Sequence, residues 1–242
     1  ADLIEKEGHD FFTDEKTANF LSMPASEEKP DFVIVIGGDG TVLLSEMNYQ
    51  GVPMISIGIG RISFLANIPV NKSEEAIKRA INNDIIVDER TKLRIAGKDL
   101  PDVLNEYVIS TKIPVKIIEY TIYANNHPVR DLRADGLIVS TATGSTAYSL
   151  SCGGPIIDKD CDVISLVPVS PFRLTSRPII ISGKKEIRVE LIDKPAIIVA
   201  DGHRTVDFHP GEKISIVRSP VTAKFVRIHN INYFERIGQF LK

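Results

Sequence analysis

The sequence contains no tryptophan, three methionines and only two cysteines, Cys152 and Cys161, in 242 residues. Two cysteines are too few for a disulfide framework and fit a reducing cytoplasm, where each reads as a small buried residue rather than a ligand or nucleophile. The histidines His9, His127, His203, His209 and His229 are scattered. No His/Cys/Asp cluster has the spacing of a protein-only metal cage, so no metal-ligating residue is assigned. Neither charge dominates: 29 basic against 32 acidic residues leave a net charge of −3, which provides no broad basic surface for nucleic acid or an anionic membrane. No apolar run approaches the ~18–20 residues of a spanning helix. The opening Ala1-Asp2-Leu3-Ile4-Glu5-Lys6-Glu7 carries acids where a signal peptide carries basic residues, so the expectation is no secretion signal, and the chain lacks an initiator Met. What is present is ordinary for a globular protein: 43% hydrophobic and 25% charged residues, enough apolar material to exclude disorder for most of the chain. The length allows one or two domains.

The first third alternates helix and strand patterns. Leu3-Ile4-Glu5-Lys6-Glu7-Gly8 resembles the last turns of a helix closed by glycine. Phe32-Val33-Ile34-Val35-Ile36 and Pro53-Met54-Ile55-Ser56-Ile57 are continuous apolar runs, the pattern of parallel strands covered on both faces. Thr41 to Tyr49 between them reads as a helix. Asn71-Lys72-Ser73-Glu74 can cap another, with a stripe of Ala76, Ile77, Ala80 and Ile81. From Ile85 onward β-branched runs alternate with turn signals such as Asn125-Asn126, Ser182-Gly183 and Pro210-Gly211, giving roughly ten strands. A short helix near Ser145 to Ser151 and a helical segment from Tyr233 to Leu241 interrupt and end this pattern. The expectation is an α/β N-terminal domain over 1–84 and a β-rich domain over 85–224, α+β overall.

Three segments carry the chemistry. Gly37-Gly38-Asp39-Gly40-Thr41 follows a buried-type strand and precedes a helix, so its backbone N–H groups and the helix N-terminus suit a phosphate. Asp39 is an acid beside that cradle, which makes sense as a metal ligand or as acceptor of a proton from an attacking hydroxyl; the plain alternative is a conformational Gly/Asp turn. Asn105-Glu106 places an amide and a carboxylate inside an apolar stretch, where they satisfy backbone neighbours or present themselves to an adenine edge and ribose hydroxyls. Arg133 through Pro155 reads as a strand, a loop of small polar residues and a short helix. Thr143, Ser145 and Thr146 there offer hydroxyls of little bulk to a sugar, amide or phosphate, or else form a structural loop.

In their order and separation these segments resemble the NAD kinase family: Gly37-Gly38-Asp39-Gly40-Thr41, Asn105-Glu106, then Asp135-Gly136 leading into Thr143-Gly144-Ser145-Thr146-Ala147-Tyr148-Ser149-Leu150-Ser151. The likeness extends to Gly60-Arg61-Ile62-Ser63-Phe64-Leu65, to Leu166-Val167-Pro168 with Ser176-Arg177-Pro178, and to Asp201-Gly202. The resemblance implies transfer of the terminal phosphoryl group of ATP, or of inorganic polyphosphate, to the 2′-hydroxyl of the adenosine ribose of NAD, giving NADP. It also implies a three-layer α/β domain with a mostly parallel sheet, a two-layer β-sandwich, and NAD at the cleft between them. Residues 225–242 would return to the first domain, and a strand and helix would precede the equivalent of Ala1.

Carried over by residue, the resemblance makes Asp39 the catalytic base, with Gly38 and Gly40 near the phosphates. Asn105 contacts adenine and Glu106 the ribose hydroxyls. Thr143 and Thr146 complete the polar side of the adenine pocket, and Phe64 gives an apolar face. Ala147, Tyr148 and Ser151 meet the rest of the dinucleotide. Asp135 and Ser170 match positions that reach a neighbouring subunit's NAD, implying a homo-oligomer, dimer or tetramer. Arg61 and Arg133 are phosphate partners or surface ion-pair residues. Mg²⁺ is expected to arrive with ATP through one or two carboxylates and phosphate oxygens. Gly58 stands where the family commonly has Asn, Ser63 where it has Gly, and Thr141-Ala142-Thr143 where it has Thr-Pro-Thr; Pro171-Phe172-Arg173-Leu174 is likewise atypical. Two other functions compete: a lipid or sphingoid-base kinase sharing the glycine-rich loop, which needs an apolar acceptor tunnel, and a non-catalytic NAD(P)-binding regulator, which the presence of Asp39 disfavours.

Overall fold

The computed structural model describes residues 2–15, 17–18, 29–60, 63–66, 68–229 and 233–241. The chain divides into two compact units, 1–88 with 224–242, and 89–223.

In the first unit the apolar runs form β1 (Val33–Gly37) and β2 (Met54–Gly58), paired in parallel from Val33 opposite Met54 to Gly37 opposite Gly58. The short β3 (Ile68–Pro69) also pairs in parallel with β2. The sheet order is β1, β2, then the last strand, β16 (Ala223–Arg227), then β4 (Ile86–Arg90). β-branched content alone could not show that the strand starting at Ile86 joins this sheet. The helix Asp39–Asn48 buries Val42, Leu43 and Glu46, and the helix Ser73–Ile81 buries Ala76 and Ala80. Those alanines close a core with Ile55, Ile57, Ile68, Val226 and Ile228, and Ile77 packs at its edge. The side-chain cap expected at Asn71 to Glu74 does not form. A 3-10 turn, Val70–Lys72, runs into the helix instead, and Lys72 sits at the cap position without a side-chain capping bond, its ammonium donating to Glu75 at 2.7 Å. Asp2–Lys6 and Tyr233–Phe240 are helical as expected.

The second unit is built from two antiparallel sheets. One has the order β11 (Ile179–Ser182), β10 (Val163–Val169), β9 (Gly136–Thr141), β6 (Glu106–Thr111), β13 (Ala196–Ala200), β14 (Arg204–Phe208). The other runs β5 (Leu93–Ile95), β15 (Lys213–Arg218), β12 (Ile187–Leu191), β7 (Ile118–Ala124), β8 (His127–Ala134). Strict alternation along β7 buries Ile118, Tyr120, Ile122 and Ala124, whereas all six residues of β9 are buried. The two sheets pack on one another, and the buried Tyr120 hydroxyl donates to the Gly136 carbonyl at 2.9 Å. Asn125 and Asn126 both adopt the left-handed conformation, with φ of 47° and 68°, which is what a two-residue hairpin between β7 and β8 requires. Asp102, 4% exposed, accepts both arms of the Arg94 guanidinium at 2.8 and 2.9 Å and the Ser219 hydroxyl. The cysteines correct the expectation of burial: Cys152 is half-buried and Cys161 is exposed, in a turn among Asp158, Asp160 and Asp162. Among the described residues no helix is long and apolar enough to cross a membrane.

Candidate active site

The first unit supplies a glycine-rich loop at the end of β1. Gly38 occupies the helix cap in extended conformation, and its carbonyl accepts the Thr41 and Val42 N–H groups at 3.1 and 3.2 Å. A Cβ placed on Gly38 or Gly40 meets nothing within 4 Å. Among the described residues that side of the loop is therefore open to an incoming group, with the start of the helix and its dipole behind it.

Asp39, the first helical residue, is half-buried and held from several sides. Its Oδ2 accepts the Phe64 N–H at 2.9 Å; its Oδ1 accepts the Leu65 and Ala66 N–H groups at 2.9 and 3.3 Å and the Ser63 hydroxyl. Ser63 Oγ in turn accepts the Ala66 N–H at 2.7 Å. Ser63 thus adds a side-chain donor to the acid. Phe64 packs its ring edge-to-face on Phe240, centroids 5.0 Å apart, and its carbonyl accepts from Arg236 at 3.3 Å. Arg61 lies outside the described residues.

In the second unit, strand order brings separate motifs together. Glu106 begins β6, which lies between β9 and β13, with Glu106 opposite Ser140 and Tyr107 opposite Ala200. The ends of β9 and β13 therefore flank Asn105-Glu106. On the β9 side the Thr141 N–H donates to the Asn105 carbonyl at 2.9 Å and the Thr141 hydroxyl to the Leu104 carbonyl at 2.6 Å, while the Gly144 N–H returns to Thr141 Oγ1 at 3.0 Å. A side chain at Gly144 has no room, since its Cβ would stand 2.6 Å from both the Asn105 carbonyl carbon and Ser140 Oγ. The loop continues as a 3-10 turn, Thr143–Thr146, and the helical turn Tyr148–Ser151.

The hydroxyls of this loop divide by role. Ser145, which the sequence leaves open between a ligand hydroxyl and a structural one, is fully buried; its hydroxyl donates to the Ala142 carbonyl at 2.7 Å and accepts the Ile157 N–H at 3.0 Å, so it braces the turn. Thr143 is 8% exposed and accepts from Arg90 at 3.4 Å, and Thr146 donates to the Thr143 carbonyl at 3.3 Å. Ala147 is half-buried; Tyr148 and Ser151 are exposed. Arg133, Asp135 and Ser170 gather at the opposite end of β9. There the Asp135 N–H donates to the Val169 carbonyl at 3.0 Å, and Arg133 lies 5.2 Å from the Phe172 ring centroid.

On the β13 side stands a group that the sequence marks only as part of the Asp201-Gly202 pair shared with the family, with no role assigned. Asp201, 5% exposed and left-handed at φ 43°, accepts the Leu104 N–H on Oδ2 at 2.7 Å and the Asn105 and Glu106 N–H groups on Oδ1, both at 2.9 Å. Its own N–H donates to the Glu106 carbonyl at 3.1 Å. Burial, with the Asp201 charge adding to it, pushes the Glu106 carboxyl up to about 8. Burial also raises Asp201, against the pull of its three N–H donors and of Lys92. The three N–H donors that converge on Asp201 favour the charged form there over Glu106, against the desolvation that raises both carboxyls. The Tyr148 hydroxyl is raised as well, by burial first, with Cys152, Asp135 and Glu106 contributing. Among the described residues no group of three or more His, Cys, Asp or Glu side chains is placed to hold a metal.

Residues 9–85 match the ATP-NAD kinase N-terminal domain and residues 104–228 the ATP-NAD kinase C-terminal domain. The NAD kinase of Thermococcus kodakarensis is 37% identical over 96% of this chain and 88% of its own length. That of Methanocorpusculum labreanum is 35% identical over 99% of this chain and 91% of its own. Among solved structures, an NAD kinase from Archaeoglobus fulgidus in complex with ATP is similar with a TM-score of 0.80 and 29% identity, covering 93% of this chain and 91% of that one. Yeast NADH kinase complexed with NADH shares the fold, with a TM-score of 0.82 at 23% identity over 89% of this chain and 67% of that one.

Proposed function

The chain belongs to the NAD kinase family, and we propose from that premise how its residues divide the work of phosphorylating NAD with ATP. The 2′-hydroxyl of the adenosine ribose is the acceptor and NADP the product. Asn105 reads the adenine edge, Glu106 binds ribose hydroxyls, Thr143 and Thr146 line the polar side of the adenine, and Phe64 gives an apolar face. Ala147, Tyr148 and Ser151 meet the remainder of the dinucleotide. Gly38 and Gly40 leave the loop open to phosphate, with Arg61 and Arg133 as further phosphate partners. Asp135 and Ser170 serve the NAD of a neighbouring subunit in a dimer or tetramer.

The observation that carries this reading is the placement of Asp39 on the first turn of a helix whose glycine loop is open, its carboxylate fixed by four donors. A ribose hydroxyl is a weak nucleophile at neutral pH, so acceleration comes from holding it in line with the γ-phosphorus and removing its proton as bonding develops. A carboxylate that cannot swing is suited to the second task. Mg²⁺ would arrive with ATP, held by phosphate oxygens, waters and one or two carboxylates, and would neutralise charge on the transferring phosphates. The two free cysteines support a reducing cytoplasm as the site of action.

An acceptor screen tests this reading. Phosphate transfer from labelled ATP or polyphosphate is followed to NAD, NADH and a sphingoid base, with and without Mg²⁺. Label on NAD at the 2′ position is expected; label on the sphingoid base alone would overturn the assignment.

A further inference from the structure

We propose that Asp201 is a positioning residue for NAD: its buried carboxylate fixes the backbone from which Asn105 and Glu106 present their side chains. The inference rests on the reading that this pair binds the adenosine of NAD. Three consecutive N–H groups, those of Leu104, Asn105 and Glu106, converge on the one carboxylate at 2.7 to 2.9 Å, and the return bond from the Asp201 N–H to the Glu106 carbonyl closes the link. Hydrogen bonds to an ionised acceptor are roughly twice as strong as neutral ones. The left-handed backbone at Asp201 (φ 43°) is a conformation non-glycine residues rarely take, so the surroundings hold it there. From the other side, Thr141 and Ser140 bond the Leu104 and Asn105 carbonyls. The pair's donors are thus set by Asp201 and its acceptors by β9.

A second effect follows from charge. The titratable groups that reach Glu106 are Asp201 from the turn after β13, with Lys92 beside it, and Tyr148 and Cys152 from the helical turn after β9. Burial first, and the charge of Asp201 second, oppose ionisation of the Glu106 carboxyl group that meets the ribose. Asp201 itself touches neither substrate nor phosphate in this account.

The test compares Asp201→Asn, Asp201→Gly and Glu106→Gln with the unaltered chain, by steady-state kinetics over pH 6 to 9 at saturating ATP and Mg²⁺ and by thermal unfolding. In Asp201→Asn the carboxamide oxygen keeps two of the N–H donors while its NH₂ faces the third. Asp201→Gly retains the left-handed backbone without the carboxylate. For both, KM for NAD is expected to rise ~10-fold or more, with kcat falling less than KM rises, as when ground-state and transition-state binding are lost together. The limb of kcat/KM that reports Glu106 should move to lower pH. An unchanged KM and pH profile in a folded Asp201→Asn protein would overturn the proposal. So would failure of both Asp201 variants to fold, which would make the carboxylate a structural group only. Glu106→Gln separates this from the underlying site: if it leaves the KM for NAD unchanged, the adenosine site itself is misassigned, whatever the Asp201 variants do.

Discussion

Protonated Glu106 should make the stability of this protein depend on pH in a direction opposite to that of most carboxylates. Its carboxyl rises from the ordinary 4.5 to about 8 because the group is buried and faces Asp201, and only 6% of its surface is exposed. The folded state therefore binds this proton more tightly than the unfolded chain. The stabilisation is fully present below 4.5 and is lost as pH climbs through about 8. At about 1.4 kcal/mol per tenfold change in proton affinity, the loss between pH 5 and 8.5 is at most about 4 kcal/mol. Glu106→Gln keeps the shape and removes the titration. Urea unfolding across this range, followed by tyrosine fluorescence, reads the effect, since Tyr107, Tyr120, Tyr123 and Tyr148 of the six tyrosines lie in the second unit. The unaltered chain should lose stability with rising pH, and the Gln variant should lose markedly less. Identical pH profiles would mean that Glu106 is ionised in the fold and that the charge assignment of the Asp201 pair is wrong.

Gly144→Ala should drive a methyl group into the Asn105 backbone and Ser140 Oγ, costing about 1–3 kcal/mol by the usual penalty for overpacking; calorimetry should show a lower Tm, and kinetics a higher KM for NAD. Ser63→Gly removes one of four donors to Asp39. A stability cost of about 1–2 kcal/mol is expected for a half-buried, charge-assisted bond, with kcat reduced less than tenfold because three N–H donors remain. A hundredfold loss of kcat would show that the serine hydroxyl does more than hold the acid.

Which parts of this were legible in the sequence follows from range. The apolar runs Phe32–Ile36 and Pro53–Ile57 and the stripe Ala76, Ile77, Ala80, Ile81 report local burial, and they became paired strands and a packed helix. The Asn125-Asn126 turn was legible for the same reason, since left-handed backbone favours asparagine. The cap at Asn71 to Glu74 was not, because a preceding 3-10 turn displaced it without leaving a pattern of its own. Nor was the role of Ser145: a hydroxyl looks the same whether it faces a ligand or braces Ala142 and Ile157. The role of Asp201 was hidden by distance along the chain, 95 to 97 residues from its partners, although the Asp201-Gly202 pair itself was part of the resemblance. Its burial, and that of Lys92, had no local signal.

The central claim is that Asp39 removes the proton from the ribose hydroxyl, and the most direct measurement is NADP formation by the unaltered chain and by Asp39→Asn, coupled to an NADP-specific dehydrogenase, with NAD binding determined in parallel. Asp39→Asn should lower turnover by ~10²-fold or more, the scale of a lost general base, while NAD affinity stays nearly intact. Undiminished turnover in a variant that binds NAD normally would contradict the account and leave Asp39 as the anchor of residues 63–66 alone.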